Sequence, residues 1–600
     1  MTSTRTRLRS SHDGGVSAES AAQAGADGSR TLRYVLVTVL SAVMCAAWLH
    51  VWQTADGVPD VGGDPLYVQA TVQAWGDGGP LGRAENLSWP SSYAPWSLPQ
   101  LGIGVSLSSW LMVGVLSIGS STAVTWTYVM TAAMNGAGVL LLLRSVPRAR
   151  SSLAVVVLAA VAGAGTFVLE KYGFGHLNVA AFYPCAVLLA VLLRWSSATP
   201  SERRGIALLL LGAHAVGPLW WSFVSLFLIA GVIGIALLRR EISETRPLLA
   251  FGALVGLGVL PSLMLYASQA NPNATATRSA WDSNFYGGRL ADVLFASPAL
   301  NSSVDVIASL AAGASVEPSR TGLLLGGCAA MLVATVIVGR VRADDVFGSR
   351  LGDLSIVVLL MFLAGGLGNL QAAGFVLMGG SSPARVWSRL VVLLALLGLV
   401  IVVRALLAVQ SRGAPAPGSS RRLLMPHALA GLAVVASLGW VLDARALPRP
   451  LPQSAQQAAE QQAISFLRGE LAPCPVAQLP VDAFPVPRVA SQAGDIGNFY
   501  YRPFVPYLLA PEFQWSYGAI ATATAPPLDV LTAAPTAVEL QGVGQRGFCA
   551  VLFDKMLAQA SASRGLTLPG TDVSGLGSPS FTTDRYDVFV LAGAPAAAAR

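Results

Sequence analysis

Long apolar runs alternate with short polar connections over most of the chain. The runs fall at about 33–52, 101–118, 122–143, 152–169, 177–193, 205–217, 219–238, 247–267, 321–339, 353–370, 388–404 and 427–443. Most approach the roughly 20 residues that a helix needs to cross the hydrocarbon core of a bilayer. After about residue 443 the pattern changes. "RALPRPLP" reads as a proline-rich linker. "SAQQAAEQQAISFLRGEL" reads as an amphipathic helix with Ser454 at its N-cap. "PVAQLPV", "GFCAVLF" and "YDVFVLAG" read as short strands. The pattern therefore predicts a mainly α protein. A polytopic transmembrane helix bundle of about eleven spans occupies 33–443, and a small α/β domain occupies 444–600. Residues 1–32 form a cytoplasmic tail, of which 1–30 are rich in Ser, Ala, Gly and Arg and are expected to be disordered.

Composition agrees with many spans. The chain of 600 residues is 54% hydrophobic and 12% charged, where a soluble domain carries about 25% charged residues. The net charge of +7 comes from arginines in short connections and predicts no nucleic-acid partner. "RSVPRAR" (144–150), "RWSSATPSERR" (194–204), "RREISETR" (239–246), "RVRADDVFGSR" (340–350) and the stretch 404–422 all carry arginine. The positive-inside rule places them in the cytoplasm with the N-terminus. The loop 53–100, the turn 170–176, the loops 268–320 and 371–387 and the C-terminal domain are then outside. The parity closes only if one of the runs 101–118 and 122–143 crosses the membrane. The expected location is a bacterial plasma membrane, with membrane lipids as constant neighbours.

Cys45, Cys185 and Cys328 lie in apolar runs and are expected to be packed thiols, whereas Cys474 and Cys549 share the C-terminal domain and form a candidate disulfide. No P-loop, Gly-x-Ser-x-Gly or His-Glu-x-x-His motif occurs.

Polar residues that could carry chemistry gather on the expected outer face. Asp64 follows two glycines after the first span and precedes "PLYVQATVQAW", which has the apolar spacing of a helix lying along the membrane surface. A carboxylate there can act as a general base on a hydroxyl, or cap the helix that follows. "EKYGFGHLNVAAFYP" brings Glu170, Lys171, His176 and Asn178 to a turn on the same face, either as interfacial anchors or as part of a polar site. The loop 269–299 supplies Arg278 and Tyr286, and "SSPARVWSRL" supplies Arg385 and Arg389 four residues apart. Arginine forks suit a lipid phosphate, and also plain headgroup anchoring.

The order of these features resembles the bacterial GT-C superfamily of multi-spanning membrane glycosyltransferases, including the YfhO-like and sugar-translocase-like membrane proteins. The resemblance rests on "GGDPLYVQATVQAW", "HLNVAAFYPCAVLL", "RSAWDSNFYGGRLADVLFASP", "RVWSRL", "FQWSYGAIATATAP" and "LQGVGQRGFCAVLFDK", spread over roughly 33–555. It implies transfer of a hexosyl or pentosyl unit from a polyprenyl-phosphate sugar lipid to an envelope glycan or lipid acceptor at the outer face. It implies Asp64 as the catalytic base, with His176, Arg385 and Arg389 as further site residues. Glu170, Lys171, Asn178, Arg278 and Tyr286 are expected to line the substrate, and the aromatics Trp515 and Tyr517 to hold an acceptor glycan. The first loop lacks an adjacent pair of acidic residues, which leaves a divalent metal, magnesium or manganese, open. A flippase for a lipid-linked saccharide and a non-catalytic envelope assembly protein are the competing readings.

Overall fold

The computed structural model describes residues 15–51, 64–97, 101–146, 149, 152–269, 289–294, 296–303, 320–338, 349–364, 387–412, 421–447, 457–482, 499, 501–517, 528, 531, 534–566 and 568–595. Arg278, Tyr286, Arg385 and Ser454 lie outside the described residues. The N-terminal third comprises α1 (Gly15–Leu49), α2 (Asp64–Gly78), α3 (Ile103–Ser109), α4 (Ser120–Leu143), α5 (Leu153–Gly163), α6 (Thr166–Gly173), α7 (Leu177–Ala180) and α8 (Tyr183–Arg194). The rest of the bundle comprises α9 (Pro200–Val216), α10 (Leu219–Leu238), α11 (Ile242–Gln269), α12 (Leu290–Leu294), α13 (Pro298–Ser303), α14 (Gly322–Val338), α15 (Ser349–Ala364), α16 (Val391–Arg412) and α17 (Arg421–Ala446).

Among the described residues, 8 helical segments are long and apolar enough to cross a membrane. The chain is a multi-pass membrane protein. The other three runs expected as spans fall on α9, α14 and α15, which at 17, 17 and 16 residues are shorter than these 8. Length also decides between the two runs near residue 120. Ile103–Val115 is a short apolar helix whose second half, Trp110–Val115, is π-helical. At 1.5 Å per residue it reaches only about 20 Å, against a hydrocarbon core of about 30 Å. Ser120–Leu143, with 24 residues, is the full-length member of the pair.

One end of the bundle collects the arginines. Arg30, Arg144 and Arg194 line a common cavity there. Arg239 pairs with Asp353 at 2.8 Å, and Arg350 pairs with Glu244. The Arg-rich connections after α4, α8 and α10 thus share a face with the start of α1, as the loop pattern predicts. Residues 15–30, expected to be disordered, continue α1 as helix. The physical reason is local: "SAESAAQAGA" is alanine-rich, and alanine is the best helix former.

The helices meet through small residues. A side chain on Gly163 would run into the backbone of Gly136, and one on Gly398 into that of Cys328. These contacts let α4 close on α5, and α14 on α16, at backbone distance. Cys45, Cys185 and Cys328 are buried free thiols.

The C-terminal domain is an α/β layer. It contains α18 (Ala458–Glu470), β1 (Pro475–Leu479), α19 (Phe504–Leu509), β2 (Gln514–Trp515), α20 (Ala537–Gln545), β3 (Ala550–Asp554), α21 (Lys555–Ser563), β4 (Phe581–Thr582) and β5 (Tyr586–Val590). The strand order is β2-β1-β3-β5-β4. β1 is parallel to β2 and β3, and β5 is antiparallel to β3 and β4. The three runs expected as strands are β1, β3 and β5. Gln457 caps α18. Cys474 and Cys549 form a disulfide that ties the entries of β1 and β3 across 75 residues. Cys549→Ser is expected to lower the stability of this domain by about 2–5 kcal/mol. Denaturant titration with and without reductant measures this, and equal curves for both proteins under oxidising conditions would show that the bond contributes nothing.

The domain is bonded to the loop after α2. Leu87 bridges Trp515 in parallel register, and the Ser88 and Trp89 amides donate to the carbonyls of Tyr517 and Trp515 at 3.1 and 2.9 Å. The Trp515 amide donates to the Asn86 carbonyl at 2.9 Å. Residues 86–89 therefore extend the sheet beyond β2, by the main-chain logic of strand addition. Asn86 Nδ2 also donates to the Pro511 carbonyl at 2.6 Å and to Asp77 at 3.1 Å, and the Tyr507 hydroxyl donates to Asp77 at 2.7 Å. Burial first, then the Asp77 charge, hold the Tyr507 phenol well above its ordinary pKa, so it stays a donor.

Candidate active site

α2 begins at Asp64 and is covered on most sides rather than lying on a surface. Leu66 to Val72, Ala74 and Trp75 are buried. The C-terminal domain and the loop after α2 explain the difference from the expected surface helix: α19 and the loop 86–97 pack over α2, with Tyr67 against Tyr501 and Trp75 against Trp96, ring centroids 5.6 Å apart in both pairs. Gln69 Nε2 donates to Ser120 Oγ at 3.1 Å and ties α2 to the start of α4.

The turn between α6 and α8 is fixed from below. Asn135, inside α4, donates to the Ala180 carbonyl at 2.8 Å and accepts from the Tyr183 amide at 2.9 Å. It thereby satisfies two backbone groups freed where helix breaks at residues 181–182, which apolar surroundings would otherwise penalise. The Trp221 indole donates to the Val179 carbonyl at 3.0 Å. The Tyr128 hydroxyl and the His176 amide both donate to the Lys171 carbonyl, at 3.1 and 2.9 Å.

This scaffold brings together two residues 112 apart in sequence. His176 Nε2 lies 2.9 Å from Asp64 Oδ2. The side chains are 16% and 37% exposed, so the pair is sheltered yet reachable. Gly175 makes the approach possible. It has φ of 68°, and a side chain on it would run into the Asp64–Pro65 peptide. Gly175→Ala is therefore expected to separate the pair. Any activity that needs the pair should fall as far as it does in His176→Ala, and the strained backbone should also lower the melting temperature by a few degrees. Full activity of Gly175→Ala would show that the close approach is dispensable.

The other expected site residues divide. Glu170 is buried and accepts from the Arg320 amide at 2.9 Å, with Arg320 Nε at 3.5 Å. Arg320 gave no signal in the sequence, because it lies 150 residues away and in no motif. Lys171 is fully buried, with its ammonium 5.6 and 5.7 Å from the ring centroids of Phe167 and Phe174, in cation–π range. Asn178 is buried within α7. Arg389 is buried, and its guanidinium lies 5.9 Å from the Trp220 ring centroid. Trp515 and Tyr517, expected to face an acceptor, lie inside the seam with residues 86–89. The Trp515 indole donates to the Ala510 carbonyl at 2.9 Å, and the Tyr517 ring packs edge-on to Phe504.

No protein-family model matches this chain, and no curated protein does. Solved structures are similar to it at low identity. ArnT from Cupriavidus metallidurans, bound to undecaprenyl phosphate, shares 15% identity over 92% of this chain and 97% of that one, with a TM-score of 0.49. The oligosaccharyltransferase AglB from Archaeoglobus fulgidus, in complex with an inhibitory peptide and a dolichol-phosphate, shares 13% over 87% and 69%, with a TM-score of 0.45. The arabinofuranosyltransferase AftD from Mycobacteria shares 12% over 87% and 36%, with a TM-score of 0.38.

Asp64 and His176 would offer a metal two donors. Among the described residues no third carboxylate, imidazole or thiolate joins them. The described donor set does not make up a site for magnesium or manganese, which favour several oxygen ligands, and no step below runs through a metal.

Proposed function

We propose that the protein is a membrane glycosyltransferase that moves a sugar from a polyprenyl-phosphate-linked donor to a cell-envelope acceptor at the outer face. The observation that carries this reading is the hydrogen bond between Asp64 and His176, where the bundle meets the C-terminal domain. A carboxylate beside an imidazole, half sheltered from water, is a proton acceptor held in one orientation. The disulfide in the adjoining domain supports an oxidising compartment for that face.

In this mechanism Asp64 accepts the proton of the acceptor hydroxyl. The hydroxyl oxygen forms a bond to the anomeric carbon as the bond from that carbon to the donor phosphate oxygen breaks. The electron pair of the broken bond leaves on polyprenyl phosphate, which as a stabilised anion needs little protonation. His176 orients the Asp64 carboxylate through Nε2 and is a positioning residue. Arg389, with Arg385 beside it in sequence, supplies positive charge for the phosphate. Lys171, next to Glu170 and five residues before His176, adds a cation to the same turn.

The test is reconstitution of the full chain in liposomes with a radiolabelled polyprenyl-phosphate sugar and an envelope glycan extract. Label moving to the acceptor with release of polyprenyl phosphate supports the proposal. Label that crosses the bilayer while still on its lipid would instead establish a translocase.

A further inference from the structure

A second polar centre occupies the end of the bundle opposite Asp64 and His176. Arg30 and Tyr34 lie one turn apart on α1, Arg144 caps the C-terminus of α4, Arg194 ends α8, and Glu202 sits in the first turn of α9. Together these five side chains line a cavity of about 180 Å³. The Arg144 guanidinium lies 5.2 Å from the Tyr34 ring centroid. Arg194 and Glu202 approach to 3.7 Å. The other Glu202 oxygen completes the capping box of α9, accepting from the Thr199 amide at 2.9 Å. Three arginines against one glutamate leave the lining with a formal charge of +2. Arg144 is only 8% exposed, and it lines this cavity rather than open solvent.

The depth of the cavity identifies what reaches it. Arg144 directly follows the apolar segment Ser120–Leu143, Arg194 lies in the last turn of Leu177–Ser197, and Arg30 is the second residue of Ser29–Leu49. All three sit where apolar spans end, at the level of lipid headgroups. Arginine offers a planar fork that matches phosphate oxygens, and basic pockets between spans at this depth suit phosphate headgroups. We infer that this cavity is a phosphate-binding site, filled by the headgroup of an anionic phospholipid or by free phosphate. The site is separate from the Asp64–His176 pair and does not depend on the proposed reaction.

The experiment uses the purified full chain in neutral detergent, with fluorescent phosphatidylglycerol, fluorescent phosphatidylcholine and inorganic phosphate as probes, at ionic strength fixed with chloride. Arg30→Gln/Arg194→Gln is expected to bind phosphatidylglycerol about 10–30-fold more weakly, and Glu202→Gln a few-fold more tightly, by the sign and rough size of surface charge effects on anionic lipids. Glutamine at position 202 keeps the capping box of α9, so this variant decides the matter if the double variant does not fold. Phosphatidylglycerol binding that follows both variants and is not displaced by inorganic phosphate assigns the site to lipid. Inorganic phosphate binding that follows both variants, without preference for phosphatidylglycerol over phosphatidylcholine, assigns it to the free ion. The same affinities for all probes in wild type and Glu202→Gln would overturn the inference.

Discussion

Asp64→Asn is expected to reduce sugar transfer by about 10²–10⁴-fold, the usual contribution of a positioned general base. Asparagine keeps the size of the side chain and an oxygen for His176 Nε2, which lies 2.9 Å from Asp64 Oδ2. What it removes is the ability to take a proton. Steady-state transfer from a radiolabelled polyprenyl-phosphate sugar measures the loss. Donor binding should be unchanged, so the effect falls on kcat. His176→Ala should cost less, up to about 10²-fold, because it loosens the carboxylate without removing it. An Asp64→Asn protein that transfers sugar at the wild-type rate would remove Asp64 from the mechanism. Gly175 is the internal control: its φ of 68° allows the approach of the two chains without itself offering any chemistry.

The second large effect concerns the C-terminal domain. Glu460→Ala is expected to destabilise it by about 3–5 kcal/mol, the cost of leaving a buried charge without its partner. Arg502 donates to Glu460 Oε1 through Nε at 2.8 Å and Nη2 at 2.6 Å, and the Tyr586 hydroxyl lies 3.4 Å from the same oxygen. The two charged side chains are 1% and 0% exposed, so water cannot replace the lost carboxylate. The pair joins α18 to the segment before α19, and α19 carries Tyr507, which bonds Asp77 in the last turn of α2. Loss of the pair should therefore loosen the domain where it seats over α2. Denaturant unfolding followed by tryptophan fluorescence reads the stability, and limited proteolysis reads the loosening. Lys555→Ala breaks a more exposed pair, with Asp587 at 3.0 Å, and should cost no more than about 1 kcal/mol. Equal losses in the two variants would contradict the assignment of the buried pair.

The two expectations differ in how much of each could be read from the chain. Asp64 and His176 were both legible as candidates, because a carboxylate and an imidazole stand out beside apolar runs and the arginine pattern put both on one face. Their direct contact was not legible, since it needs the left-handed turn at Gly175 to pass against the Asp64–Pro65 peptide. Glu170 was legible as a charge and not as a partner of Arg320. Asp443 shows the same limit. It closes an apolar run, yet its carboxylate accepts from Ser297 Oγ at 2.5 Å and from the Ala299 and Leu323 amides at 3.2 and 2.6 Å, at the starts of α13 and α14. Trp515 and Tyr517 are expected from the sequence to hold an acceptor glycan, and they are buried in a seam that exists only once residues 86–89 join the sheet.

Apolar length and arginine placement are local quantities, and a bilayer acts on each segment by itself. The sequence alone therefore determined the spans, the grouping of the arginine-bearing connections at one end, and the α/β character of the C-terminal domain. Contacts between distant segments depend on where helices break and how closely backbones approach. Only the tertiary structure decided that 120–143 rather than 103–115 is the full-length helix, that α2 lies beneath the C-terminal domain, and that Asp64 meets His176. Asn135, Gly175 and the strand pairing of residues 86–89 set those positions, through hydrogen bonds and steric fit between segments far apart in the chain.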